Sequence, residues 1–340
     1  MSSNTFVIGP LMQSSDEELL HLIVCPRDKQ DLRPESDWLL CPSGHRYRIL
    51  DGIPILLVSE AEQTHYEGSR ALAEAGNATK PPELPAKADE IDPFAIDPFV
   101  KEVIGATNGA LYQHLVGNLT EYPIPALRLP AGDGRRFLEI GCNWGRWCLA
   151  AAQSGYRPVG IDPSLKGIRA ARRVAQQLGM QVSYLVADGR YLPFRDSTFD
   201  QVFSYSVLQH LSKENARSVL AETDRVLRKG GQCLVQLPNV FGIRCLYHQA
   251  RRGFRETRGF EVRYWTIPEL QRTFAAAVGP ASVAVDGFFS LNPQVSDLRL
   301  FPWHYKLLVL LSHNLQRLSR QVPALAYLAD SLYVTASKGK

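Results

Sequence analysis

The feature that most constrains this chain is an alternation of short apolar segments with helical ones between Arg136 and Leu237. Arg136–Ile140, Pro158–Ile161, Val182–Val186, Phe199–Tyr205 and Gln232–Leu237 read as strands. Leu149–Gln153, Ser164–Leu178 and Ser212–Arg228 read as helices. Gly179 stops the second of these helices, and Ser212 caps the third, which Gly230 and Gly231 stop. Strands that alternate with helices predict an α/β fold, a doubly wound parallel sheet covered by helices on both faces. Ligands of such sheets bind beyond the carboxyl ends of the strands.

Those ends carry a pattern. The first strand runs into Glu139-Ile140-Gly141-Cys142-Asn143-Trp144-Gly145. A glycine just after a strand lets the backbone turn and approach a ligand. The second strand ends at Asp162, twenty-one residues after Gly141, and the third runs into Asp188 and Gly189. A carboxylate at Asp162 can accept from two ribose hydroxyls, and one at Asp188 from an adenine amine. A nicotinamide cofactor would call for G-x-G-x-x-G, but Asn143 and Arg146 stand where two of those glycines belong.

Residues 136–237 resemble a class I S-adenosylmethionine-dependent methyltransferase of the kind related to quinone-biosynthesis methyltransferases. Phe137–Gly145 resembles that family's glycine loop with Asn143 in place of its middle glycine. Ala187-Asp188-Gly189 followed by Leu192-Pro193-Phe194 and Phe199-Asp200, then Ser206–Leu211 and Arg225–Gly231, continue the likeness. The resemblance implies a Rossmann-like sheet of seven strands, the last antiparallel, with Ala281–Asp286 and Ser331–Ala336 as the final pair. It implies S-adenosyl-L-methionine as cofactor, held by Glu139, Gly141, Cys142, Asn143, Gly145, Asp162, Pro163, Asp188, Gly189 and Ser204. It puts His210 forward as a base, with packing in its loop as the other role for this side chain. Trp144 and Trp147 flank the loop, and Val100–Leu119, with Tyr112, reads as a helix before the sheet.

Upstream, residues 17–58 form a small module, and a proline-rich linker over 77–98 separates it from the methyltransferase-like domain, 99–340. The module's Cys25-Pro26-Arg27-Asp28 and Cys41-Pro42-Ser43-Gly44-His45 resemble the two knuckles of the small zinc-ribbon-like proteins that activate methyltransferases. Asp28 and Gly44 stand at two of that family's four cysteines. Cys25, Asp28, Cys41 and His45 make a mixed candidate zinc site, and a degenerate ribbon held by its apolar core is the alternative.

Composition bounds the rest. No apolar run reaches the roughly 18 residues of a membrane span, and 45% hydrophobic with 21% charged residues describes a folded chain. Six cysteines in 340 residues and no leader-like start fit a cytoplasmic protein. An insertion over about 240–330 holds a basic cluster, Arg244–Arg263, with six Arg and two Glu, and a Leu-rich segment from Phe301 to Leu332. Together they suggest a small-molecule or lipid-linked, anionic acceptor and a peripheral membrane contact. Methylation of tRNA or protein, and a non-catalytic partner protein that keeps the fold, are the alternatives. A net charge of +4 makes nucleic acid the weaker reading, and the oligomeric state is not written in the sequence.

Overall fold

The computed structural model describes residues 14–76, 95–107, 119–289 and 292–339. Most of the expected linker, together with Tyr112 and His114, lies outside the described residues. Eleven strands form one sheet: β1 (Arg33–Glu35), β2 (Trp38–Leu40), β3 (Arg46–Leu50), β4 (Ile53–Leu56), β5 (Arg136–Ile140), β6 (Arg157–Asp162), β7 (Ser183–Ala187), β8 (Phe199–Ser204), β9 (Leu227–Pro238), β10 (Ala281–Gly287) and β11 (Ser331–Ser337). Their spatial order is β1-β2-β3-β4-β7-β6-β5-β8-β9-β11-β10. Seven strands come from the chain beyond residue 135, and β11 runs antiparallel to both β9 and β10.

The apolar, weakly alternating strands follow from burial on both faces. Leu138 and Ile140 of β5 pack into one cluster, with Val202, Leu220 and Val235. Phe137 points the other way, against Trp147 and Phe203, as a period of two requires. Helix boundaries differ from the sequence reading at two places: the first helix begins at Arg146 rather than Leu149, and the third is Lys213–Val226, so that Leu227 already pairs with Phe199.

The small module is not a separate layer. Its β4 adds to the sheet edge parallel to β7, with Ile55 opposite Val186 and Leu56 opposite Ala187. Residues before it wrap the same edge: Val24 N donates to the Pro193 carbonyl at 3.0 Å, and Lys29 Nζ to Glu222 Oε2 at 2.8 Å. The parallel sense of β4 has a consequence. A parallel strand ends at the same sheet edge as β5, β6 and β7, so the chain leaving Leu56 is delivered to the ligand-binding edge.

Candidate functional site

A cavity of about 470 Å³ opens at that edge. Its walls come from the turn after β5, the turn after β6, the loop after β8, and the segment Thr64–Arg70 that β4 delivers. Gly141, Asn143 and Gly145 all have positive φ (79°, 47° and 79°). A Cβ on Gly141 would stand 2.2 Å from Val207 Cγ2, so only glycine fits there. Asparagine is among the few side chains that tolerate the left-handed region, which explains its place in the loop.

Glu139 faces the helix Arg146–Gln153 and accepts from Cys148 N at 2.8 Å. Burial raises its pKa to about 8. Asp162 accepts from Asn143 N at 2.9 Å and from Ser164 N at 2.8 Å. Burial lifts it to about 6 against these two bonds, and the Glu67 charge adds to the rise. Both carboxylates line the cavity with Gly141, Cys142, Asn143 and Pro163. Trp144 and Trp147 reach it too, although both are buried and held in packing clusters.

Four expected residues stand elsewhere. Asp188 does not line this cavity; Arg190, two residues on, grips both its oxygens, with Nη2 at 2.7 Å from Oδ2. Gly189 sits against Ile140 and Val219. The Ser204 hydroxyl is buried and spent on the Ile140 carbonyl at 2.9 Å. Gly145 is pressed against Tyr184, whose hydroxyl would lie 2.3 Å from an added Cβ. These residues shape the turns rather than the cavity surface.

His210 lines the same cavity from the loop after β8. Its Nδ1 faces the Phe260 carbonyl at 2.8 Å, so that nitrogen donates and Nε2 is left as the acceptor, within 3.2 Å of the Gln209 amide nitrogen. Burial lowers its pKa, which favours the neutral ring. The Phe260 ring stacks on it at 4.0 Å, and His65 meets the other side of that group at 4.5 Å. Three distant parts of the chain thus meet at one mouth. Tyr205 forms a polar wall, donating to Asp286 Oδ2 at 2.9 Å. Burial and the Asp286 charge keep its phenol protonated.

The sequence reading missed Thr64–Arg70 because it falls between the module and the linker. Glu67 and its helix-opening position were the local signal. The basic cluster is also partly self-satisfied: Arg255 pairs with Glu261 at 2.5 Å, and Arg252 and Arg263 donate to backbone carbonyls.

A second constellation lies in the module. Donor atoms of Cys25, Asp28, Cys41 and His45 all fall within 4.8 Å of one another. Cys25 Sγ is 3.3 Å from His45 Nδ1, and Asp28 Oδ2 is 3.4 Å from both Cys41 Sγ and His45 Nδ1. Donors about 2.0–2.3 Å from a tetrahedral ion stand at separations of this order. Each cysteine opens a tight turn: Lys29 N returns to Cys25 O, and Gly44 N to Cys41 O, both at 2.9 Å. The donor set therefore fits zinc.

Residues 138–235 match the family model described as a methyltransferase domain. The match covers the turns after β5 and β6 and the loop after β8, but not Thr64–Arg70, Phe260 or Asn292, and it supports a methyltransferase domain with S-adenosyl-L-methionine as cofactor. A ubiquinone biosynthesis O-methyltransferase of Methylocella silvestris is 28% identical over 154 residues, 43% of this chain and 58% of the relative. The O-methyltransferase resE of Aspergillus sclerotiorum is 33% identical over 112 residues, 32% of this chain and 41% of the relative. The chain thus spans about half the length of the curated relatives it matches. Among solved structures, the complex between the Haloferax volcanii Trm112 methyltransferase activator and a putative methyltransferase aligns with 17% identity and a TM-score of 0.44, over 72% of this chain and 94% of that one. Magnesium protoporphyrin IX methyltransferase from Synechocystis, with bound SAH, aligns with 15% identity and a TM-score of 0.42, over 62% and 76%. No helix among the described residues is long and apolar enough to cross a membrane.

Proposed function

We propose that the chain transfers a methyl group from S-adenosyl-L-methionine to a small-molecule or lipid-linked, anionic acceptor. One observation carries the reading: a single cavity joins the buried carboxylates Glu139 and Asp162 to His210 and Tyr205. The cofactor supplies, when bound, a methyl already activated on a sulfonium. Asp162 would accept from its ribose hydroxyls, and Glu139, which burial keeps largely protonated at pH 7, would ionise in answer to its positive charge. The protein's task is then alignment and exclusion of water, worth up to roughly 7–11 kcal/mol. His210, neutral and presenting Nε2, takes the acceptor's proton where that acceptor has one to lose.

The match to O-methyltransferases supports a small acceptor. The arginines of 244–263 support an anionic one. That cluster is local, whereas tRNA would need a broad basic surface. In the same reading the module holds zinc through Cys25, Asp28, Cys41 and His45, and the protein works in the cytoplasm.

Calorimetric titration with S-adenosyl-L-methionine tests the cofactor, with Asp162→Ala as control. Micromolar binding lost in the variant supports the reading, and a screen of anionic acceptors follows. Absent binding in the wild type removes it.

A further inference from the structure

The helix Trp303–Leu318 is built inside out. It buries Val309, Ser312 and Gln316, two of them polar. Ser312 Oγ is committed to Phe288, accepting from its N at 2.9 Å. The outward face carries Trp303 (72% exposed), Leu307 (57%), Leu310, Leu311 and Leu318. At 100° per residue these five fall within about one third of the helix circumference. A solvated helix shows the reverse arrangement.

The surface does not end with this helix. Val322, Tyr327 and Leu328 continue it along the chain. Asn239 Nδ2 bonds the carbonyls of Tyr327 and Ala329, at 2.8 and 3.0 Å, and Cys245 N bonds Asp330 Oδ1 at 2.9 Å. These bonds bring the helix Ile243–Arg251 alongside, and it exposes Ile243, Leu246 and Tyr247.

Charge selects the occupant. Residues 298–329 hold Arg299, Lys306, Arg317 and Arg320 and no acidic residue. Residues 239–255 hold four arginines and no acidic residue. Eight positive charges lie in these two stretches; Glu261 and Glu121 offset Arg255 and Arg299, which leaves six, while the whole chain nets only +4. Positive charge is therefore segregated to the segments that expose apolar side chains. A second copy of this chain would bring like charge against like charge across a twofold axis. A surface with apolar depth and negative headgroups meets both properties.

We propose that the surface formed by Phe241–Tyr247, the outward face of Trp303–Leu318 and Val322–Leu328 docks onto an anionic lipid bilayer. It holds the protein at the interface without crossing it. Phe260 and Asn292, which line the cavity, lie in the chain close to these two stretches. Docking therefore deepens the lipid-linked reading of the acceptor, yet it does not depend on turnover.

Co-sedimentation of the full chain with vesicles tests it. Vesicles of phosphatidylcholine alone are compared with vesicles of phosphatidylcholine and phosphatidylglycerol in equal parts. The expected result is at least about tenfold stronger partitioning to the anionic vesicles, weakened by added salt. Trp303→Ser with Leu307→Ser, and separately Arg317→Ala with Arg320→Ala, should each lose about tenfold, because these exposed side chains carry little of the fold. Cofactor affinity, measured on the same proteins, should not change. Equal partitioning to both vesicle types overturns the proposal. So does a dimer in solution that ignores vesicles and dissociates in the Trp303→Ser, Leu307→Ser variant. Vesicle partitioning by a wild-type protein that binds no cofactor would overturn the methyltransferase reading and leave docking standing.

Discussion

Glu67 Oε2 accepts a hydrogen bond from Ser164 Oγ at 3.0 Å, across 97 residues of sequence. Ser164 is the N-cap of the helix Leu165–Gln177, where its Oγ also accepts from Gly167 N at 3.1 Å. Glu67 opens the helix Tyr66–Gly76, which β4 has carried to this edge. The segment that follows the amino-terminal module therefore forms part of the cavity wall, and the integrity of the module and the affinity for the proposed cofactor should be linked.

Glu67→Ala has two opposing effects. It releases Ser164, which costs about 1 kcal/mol, or roughly fivefold in affinity. It also removes a charge that helps to hold Asp162 at about 6, so Asp162 ionises more readily. At pH 8 Asp162 is already ionised and only the first effect remains. Calorimetry should show cofactor affinity falling about fivefold at pH 8 and less at pH 5.5. An equal loss at both pH values would detach Glu67 from Asp162.

Gly141→Ala places a methyl group 2.2 Å from Val207 Cγ2, on a residue with φ of 79°. Left-handed strain and overpacking together should cost about 2–4 kcal/mol. Val207→Ala makes room for the methyl but leaves the φ unchanged. In chemical denaturation the double variant should recover part of the loss, about half. Full additivity of the two single changes would mean that the contact is not what limits position 141.

The strands of the large part were legible because each carries its own signal. Arg136–Ile140 is bounded as its apolar run predicts, and Asp162 ends β6 as its place after an apolar run suggests. Pairings between distant segments were not legible. Nothing local in Ile53–Leu56 says that it will lie parallel to β7, because that choice depends on an edge made 130 residues later. The delivery of Thr64–Arg70 to the cavity was hidden for the same reason. Asp188 is a subtler case. Its position at a strand end was readable, but its capture by Arg190 depends on a guanidinium also held by the Glu62 carbonyl, from the segment after the module.

Glu139 makes stability depend on pH in a stated direction. Its folded pKa of about 8 stands above the ordinary 4.5. The folded state therefore holds a proton that the unfolded state releases between these values. Stability falls as pH rises from about 4.5 to 8 and levels off above, by at most about 4–5 kcal/mol. Glu139→Gln should flatten this part of the profile and melt above the wild type at pH 8. A cationic ligand favours the ionised carboxylate, so the rise in Tm on adding S-adenosyl-L-methionine should grow with pH more steeply in the wild type than in Glu139→Gln, where Asp162 still titrates. A pH-independent shift in both proteins would take Glu139 out of cofactor binding.

Zinc in the module should be found by elemental analysis of untagged protein at one per chain. Cys25→Ser and Cys41→Ser should each lower that ratio well below one and lower Tm. Asp28→Cys should retain zinc through stronger chelation, since thiolate binds it more tightly than carboxylate. The module's β4 leads into the segment that brings Glu67 and His65 to the cavity, so chelator treatment should weaken cofactor binding as well. Metal-free protein with unchanged Tm would identify the four residues as a hydrogen-bonded cluster.

His210 separates alignment from proton transfer. With Nδ1 donating to Phe260 and a pKa lowered by burial, the ring is neutral at pH 7 and can accept a proton at Nε2. His210→Ala should lower kcat by about 10²–10⁴-fold for a protic acceptor and leave cofactor affinity unchanged. Gln209→Ala frees Nε2 from its neighbouring amide and should not lower kcat to that extent. The wild-type rate should fall in acid with an apparent pKa below 6.5, the ordinary histidine value, and His210→Ala should lose that limb. A variant that keeps both rate and acid limb would leave alignment alone to drive transfer. His210 would then be a packing partner of Phe260, and the proton would pass to water.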